Sequence, residues 1–187
     1  MTYNKKDFNI INKNPFLREG EGVNLNTILF YLPKNAKALE IGSFKGWTSI
    51  AMCNIKKDLS IITIDPHYGI PQSPELSSSE KEVNKNIASW KLQNRIKHIK
   101  ISSQAFYTKE KFDFIFIDGD HTYEEAKFDF NKFFPNLKKN GIIAFHDYGC
   151  LPGVTKFCNS LVKQKIFGSY FRLKSILCFR RKNANQP

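Results

Sequence analysis

Short apolar runs alternate along the chain with stretches of helical periodicity. Five runs stand out: Ala38–Ile41 (ALEI), Ser60–Ile64 (SIITI), Lys97–Ile101 (KHIKI), Phe112–Ile117 (FDFIFI) and Gly141–Phe145 (GIIAF). Each is short, rich in Ile or Phe, and closed by a glycine or a polar residue, the pattern of buried parallel strands. The gaps carry a 3.6-residue period. Asn24–Leu32 places Leu25, Ile28, Leu29 and Leu32 on one face, and Trp47–Ile55 follows the first run. Ser79–Leu92 carries Val83, Ile87 and Trp90, and Tyr123–Phe134 carries Ala126, Phe130, Phe133 and Phe134. Val154–Val162 carries Phe157, Cys158 and Leu161. These spacings predict amphipathic helices, and their alternation with strands predicts βαβ units and a mostly parallel sheet. Near the end, Ser169–Leu173 and Ser175–Arg180 are strand-like with almost nothing between them. They predict an antiparallel hairpin or return strand at the sheet edge.

The same pattern divides the chain. Residues 1–20 are polar and irregular and read as an N-terminal arm, 21–182 as one domain, and 183–187 as a tail. The stretch Ile70–Ser79 (IPQSPELSSS) is Pro/Ser-rich and reads as a loop. A length of 187 residues suits one domain, and 41% apolar residues spread along it argue against disorder. No apolar run reaches the ~20 residues of a membrane helix. The opening MTYNKKDFNIINKN has no apolar core for a secretory signal, so a cytoplasmic location is expected. The cysteines Cys53, Cys150, Cys158 and Cys178 lack zinc-site spacing and read as free thiols. A net charge of +12 would suit nucleic acid, phosphorylated glycans or anionic lipid, or an ordinary solvated surface. No stripe of Lys/Arg interleaved with aromatics appears, so nucleic acid stays open as a partner without being designated.

Parallel strands point their C-terminal ends to one edge, where ligands bind. All five predicted strands end in reactive or flexible groups: Gly42-Ser43, Asp65, Ser102-Ser103, Asp118 and His146-Asp147. One such end would be ordinary turn chemistry; five on one edge favour a site. The first strand–helix junction reads E-x-G-x-x-x-G, from Glu40 through Gly42 to Gly46. It matches neither the dinucleotide fingerprint nor a phosphate loop, which suggests a nucleoside ligand without pyrophosphate. Asp65, roughly 20 residues beyond the glycine turn, can accept hydrogen bonds from ribose hydroxyls.

The segments LEIGSFKGWTSIAM, ITIDPHYG and FDFIFIDGDHTYEEAKFDFNKFFPNLKKNGIIAFHDYG carry a specific resemblance. They resemble class I S-adenosylmethionine-dependent methyltransferases of the family-24 type, related to sugar O-methyltransferases and cephalosporin hydroxylase-like proteins. The resemblance spans about residues 20–181. It implies an α/β fold, a Rossmann-like three-layer α/β/α sandwich on a mostly parallel seven-stranded sheet with an antiparallel C-terminal strand. It also implies a cofactor site formed by Glu40, Gly42, Ser43, Phe44, Gly46, Trp47, Thr48, Asp65, Pro66, His67, Ser103, Gln104, Asp118 and Gly119. Gly42, Ser43 and Gly46 would surround the methionine moiety and ribose. Pro66 and His67 would border the adenine, with Ser103 and Gln104 near its edge. Ser102 departs from the acidic residue that relatives often carry there. Asp118 would sit beside the reactive methyl group.

Methyl transfer to a sugar or small-molecule hydroxyl requires the acceptor proton to be handled. Two solutions fit. Mg²⁺ or another divalent cation could be held by Asp118 and Asp147, with Asp120 able to join, and lower the hydroxyl's pKa. His146 stands where some relatives have another oxygen ligand. Alternatively His121 or His146 acts as general base without metal. Asp118 is read as functional. His121, His146 and Asp147 have structural readings of equal weight, as loop-orienting or hydrogen-bonded groups, and Asp120 could simply cap the next helix. Competing readings are a nucleic-acid methyltransferase and a non-catalytic S-adenosylmethionine-binding module. The arm 1–20, the loop 68–80 and the segment 148–155 are the material for an acceptor pocket. A homo-oligomer in which a second subunit completes that pocket stays open.

Overall fold

A computed structural model describes residues 21–68 and 79–183. The expected arm 1–20 and nearly all of the loop at 70–79 lie outside the described residues, as does the tail from 184 on. The chain runs α1 (Glu21–Phe30), β1 (Lys37–Ile41), α2 (Trp47–Ile55), β2 (Ser60–Asp65), α3 (Ser79–Ser89), β3 (Ile96–Lys100) and β4 (Phe112–Ile117). It continues with α4 (Tyr123–Phe133), a single 3₁₀ turn (Phe134–Asn136), β5 (Leu137–Phe145), α5 (Pro152–Val162), β6 (Phe167–Leu173) and β7 (Ile176–Arg181).

All seven strands form one sheet in the order β3-β2-β1-β4-β5-β7-β6. The first five are parallel, and β7 runs antiparallel to both β5 and β6. The predicted hairpin is therefore present, but only β6 lies at the edge; β7 is inserted beside β5. Two other differences are local. α1 gives way to tighter turns in which Tyr31 and Leu32 donate to Ile28 and Leu29, so Leu32 lies beyond the helix. β5 begins at Leu137, before the predicted Gly141, because Leu137 pairs with Phe112 ahead of a register shift, while Lys138, Lys139 and Asn140 stay exposed. A bulge carrying polar residues leaves no alternation to read.

Both faces of the sheet are covered, which completes the three-layer sandwich. Successive strand residues alternate between the two cores. Phe114 and Phe116 join Leu25, Ile28, Ile50, Met52 and Val83 under α1–α3. Ile115 and Ile117 join Ala126, Phe130, Phe133, Phe157 and Leu161 under α4 and α5. All six residues of β4 are buried, as the centre of a covered parallel sheet requires. Phe145, Phe157 and Phe167 surround the second core, their rings 5.7–6.4 Å from Phe130 or from one another. Among the described residues no helix is long and apolar enough to cross a membrane.

The neighbour of β1 on one side leads back to β2, and on the other forward to β4. That reversal of strand order opens a crevice at the C-terminal ends of β1 and β4, the place where α/β sheets bind ligands.

Candidate active site

Backbone hydrogen bonds carry the ladder one residue past the strands and fasten their ends together. Gly42 donates to Ile64, Asp118 to Ile41, Ile101 to Asp65 and His146 to Ile117. A cleft of about 1170 Å³ lies over these ends. Its wall includes Ile41–Lys45, Trp47, Thr48, Asp65, Pro66, Ser102–Gln104, Asp118–Thr122, His146 and Asp147. All five strand ends expected to converge do so.

The β1–α2 loop is shaped by backbone geometry. Gly42 has φ +91°, and a Cβ there would fall 2.0 Å from the Asp118 carbonyl oxygen. Only glycine lets the loop cross the end of β4 so closely. Phe44 follows with φ +44°. Asp65 holds the loop in place: its Oδ2 accepts from the Phe44 N–H at 2.7 Å, and its Oδ1 accepts from the His67 N–H at 2.7 Å. Each carboxylate oxygen retains a further lone pair for a ligand hydroxyl. The Ser43 hydroxyl, buried and on the wall, has no hydrogen-bond partner among the described residues.

Three residues expected at the cofactor are placed elsewhere. Gly46 turns away from the cleft and packs on α3, where a Cβ would meet Val83 Cγ2 at 2.8 Å. His67 is buried behind Pro66, with its Nδ1 2.7 Å from Ser79 Oγ and its Nε2 2.8 Å from His98 Nε2. Burial holds both imidazoles below their usual range. Glu40 is fully buried on the α1–α3 side of β1. Its Oε2 accepts from the Ser49 and Thr63 hydroxyls, and its Oε1 has no partner among the described residues. Burial pushes this carboxyl up to about 7, although the two hydroxyls pull it down.

At the β4–β5 end four ionisable side chains meet. His146 Nδ1 lies 3.1 Å from Asp118 Oδ1 and 3.2 Å from Asp147 Oδ2. His121 Nε2 lies 3.1 Å from Asp147 Oδ2 and 3.8 Å from Asp118 Oδ1. Donor atoms of Asp118, His121 and Asp147 all fall within 4.8 Å of one another, as a shared cation requires. Hydrogen bonds donated to Asp118 and then to Asp147 push the half-exposed His121 imidazole up to about 9. Burial alone would raise the Asp147 carboxyl, but hydrogen bonds from His121 and His146 hold it well below the usual carboxylate range. Asp147 itself has φ +58°, a strained backbone of the kind that gathers at functional sites. Asp120 accepts from the Thr122 N–H at 2.8 Å, and Thr122 caps α4 by accepting from the Glu125 N–H. Asp120 therefore shapes the turn before α4 while also lining the cleft.

Sequence reasoning missed Asp129. It lies in the Phe-rich run of α4, is buried, and lines the cleft. Burial pushes its carboxyl up to about 6 against a hydrogen bond from Ser103. An aspartate on the apolar face of an amphipathic helix was the available signal. Lys45, Tyr68, Ser79 and Glu125 also join the wall.

The family model for a methyltransferase domain, Methyltransf_24, matches residues 39–148, the span from β1 to just past β5. An uncharacterized protein of Acanthamoeba polyphaga mimivirus is 29% identical over 154 residues, 75% of this chain and 66% of that one. The chain thus spans just under two thirds of that curated relative's length. Several solved structures share the fold. A Staphylococcus aureus protein titled as a caffeoyl-CoA O-methyltransferase superposes with a TM-score of 0.71 at 17% identity, over 95% of this chain and 90% of its own. The O-methyltransferase NovP gives 0.74 at 16%, over 87% and 80%. A Podospora anserina methyltransferase, solved with S-adenosylhomocysteine bound, gives 0.70 at 16%, over 97% and 89%. With a matched motif span whose strand ends line one cleft, the chain belongs to the Methyltransf_24 family, and residues 39–148 carry its methyltransferase domain.

Proposed function

We propose that the protein transfers a methyl group from S-adenosylmethionine to a hydroxyl oxygen of a small-molecule or glycan acceptor. The observation that carries this reading is the charge of the cleft. The chain has a net charge of +12. Yet the cleft is lined by Asp65, Asp118, Asp120, Glu125, Asp129 and Asp147, with Lys45 the single Lys or Arg among its described residues. Such a wall attracts a sulfonium cofactor and repels nucleic-acid phosphates. The O-methyltransferase titles of the structural neighbours point to oxygen as the acceptor atom.

Ser43 and the loop from Gly42 to Thr48 would seat the methionine and ribose, Asp65 the ribose hydroxyls, and Ser103 and Gln104 the adenine edge. Asp118, beside Gly42, would border the transferring methyl. The proton of the acceptor hydroxyl is left to the four-residue cluster. Asp118 and Asp147, with His121 or His146 nitrogen as further donors, are a donor set that fits a divalent cation; imidazole suits transition metals better than Mg²⁺. Such a cation would supply Lewis acidity, lowering the pKa of the acceptor hydroxyl. Without it, His121 or His146, both on the wall of the cleft, would act as base, His121 once it has lost the proton that the two carboxylates favour on it.

The test is transfer of labelled methyl from S-adenosylmethionine to catechols, phenols, and free and nucleotide-linked sugars, each with Mg²⁺, Mn²⁺ or EDTA. We expect an O-methyl product whose rate of formation Asp118→Asn lowers by about 10²–10⁴-fold. Label recovered on RNA or DNA alone, or cofactor binding with no transfer to any hydroxyl, would overturn the reading.

A further inference from the structure

Glu40 is an anomaly. It sits in the apolar layer between β1 and α2, fully buried, with two hydroxyl donors on Oε2 and an Oε1 that has no partner among the described residues. The groups nearest in charge are acidic. Asp65 faces it from the end of β2 and Asp118 from the end of β4, and both repel a negative charge at Glu40. From α2 the Cys53 thiol faces it, held neutral by burial, which pushes it up to about 12. A buried carboxyl in such company keeps its proton into the neutral range, and it does so here to about 7.

Its partners are the walls of the cofactor end. Ser49 belongs to α2, whose first residues Trp47 and Thr48 line the cleft. Thr63 precedes Ile64 and Asp65, and Glu40 itself lies just before Ile41 and Gly42, all on the wall. S-adenosylmethionine carries a sulfonium charge that its demethylated product lacks, while the ammonium and carboxylate are common to both. A unit positive charge brought within ~10 Å of a buried carboxyl moves its pKa by on the order of one unit.

We propose that Glu40 is a positioning residue that reads the charge of the bound cofactor, giving up its proton when the sulfonium form binds and taking one up when methyl transfer leaves the thioether. This rests on the methyltransferase reading above. On binding, the Glu40 O–H bond breaks and the proton goes to solvent, leaving a carboxylate held by Ser49 and Thr63. On transfer, the S–CH₃ bond breaks, the acceptor O–CH₃ bond forms, and the acceptor's proton is lost. Glu40 then recovers a proton from solvent. The protein therefore offers more negative charge to the substrate form than to the product form, which favours product release.

The test is calorimetric titration of the full chain at pH 7 with S-adenosylmethionine and, separately, S-adenosylhomocysteine, in buffers of different ionisation enthalpy. We expect release of about half a proton more for the sulfonium form. We also expect affinity for that form to rise several-fold between pH 6 and 8, while affinity for the thioether stays flat. Glu40→Gln, which keeps the size and the hydroxyl partners, removes both differences. The protonated-carboxyl infrared band lost on adding S-adenosylmethionine to the wild type is absent from this variant. Equal proton counts for the two ligands in the wild type overturn the proposal whether or not the variant folds. So does a difference that survives in Glu40→Gln. Failure of folded wild type to bind either ligand instead overturns the methyltransferase reading.

Discussion

The two ends of the cleft are built by different means. At the β1–β2 end the shape is held by backbone: a glycine at φ +91°, a left-handed Phe44, and an aspartate that spends both oxygens on N–H groups. At the β4–β5 end it is held by charge: two carboxylates and two imidazoles, each within 3.1–3.8 Å of another. The first construction rests on backbone conformation and two N–H contacts to one carboxylate. The second depends on who holds the proton or cation. On the proposed function, the first end would seat a common cofactor, and the second would meet acceptors and protons that differ. The division lets acceptor chemistry vary without disturbing the seat.

Substitutions can break or sharpen this contrast. The largest effect is expected from Gly42→Ala. The added carbon would meet the Asp118 backbone at 2.0 Å in a left-handed conformation. We expect cofactor binding to vanish in titration, and thermal unfolding to show a loss of roughly 3 kcal/mol. Retained binding would show that the close crossing does not define the seat. Asp118→Asn comes next, on the charged side. The turnover rate should fall by about 10²–10⁴-fold while S-adenosylhomocysteine affinity changes less than about tenfold. Equal losses of both would erase the distinction between the two ends.

Glu40 sharpens the contrast from beneath the seat. Its folded carboxyl is raised to about 7 from an ordinary 4.5, so the native state binds the extra proton between those values. Stability is then highest below the lower value and falls as pH rises through the upper one, by about 3 kcal/mol in all. Denaturant unfolding between pH 4 and 8 should show this decline in the wild type and a flatter curve in Glu40→Gln. The smallest effect is at the hinge between the two ends and α4. Thr122→Ala removes the oxygen that accepts from the Glu125 N–H and should cost about 1 kcal/mol in thermal unfolding, with little change in cofactor affinity.

The contrast also explains what could be read from the chain. The strand–helix alternation and the polar strand ends are local patterns, so the cleft and its lining by Gly42, Asp65, Asp118 and Asp147 followed from them. Glu40 and His67 were expected at the ligand from the family resemblance, and both flank cleft residues without joining the wall. Both faces of this sheet are covered, so alternation along β1 separates two cores and does not tell core from cleft. Which way a side chain beside the turn points is settled by α2 and α3, through Ser49 and Ser79. Asp129 was hidden for the converse reason. It shares a helix face with Ala126, Phe130 and Phe133, yet at the cleft it meets Gly119, where a Cβ would lie 3.6 Å from its Oδ2.

The placement of β7 reaches beyond the site. It is the last of the described strands in the chain, yet it lies between β5 and β6 and supplies the hydrogen bonds along the outer edge of β5. During synthesis β5 therefore waits with one edge open until Ile176–Arg181 has left the ribosome. Completion of the charged β4–β5 end is tied to the arrival of those residues, and an arrested chain lacking them would present an apolar strand edge to its neighbours.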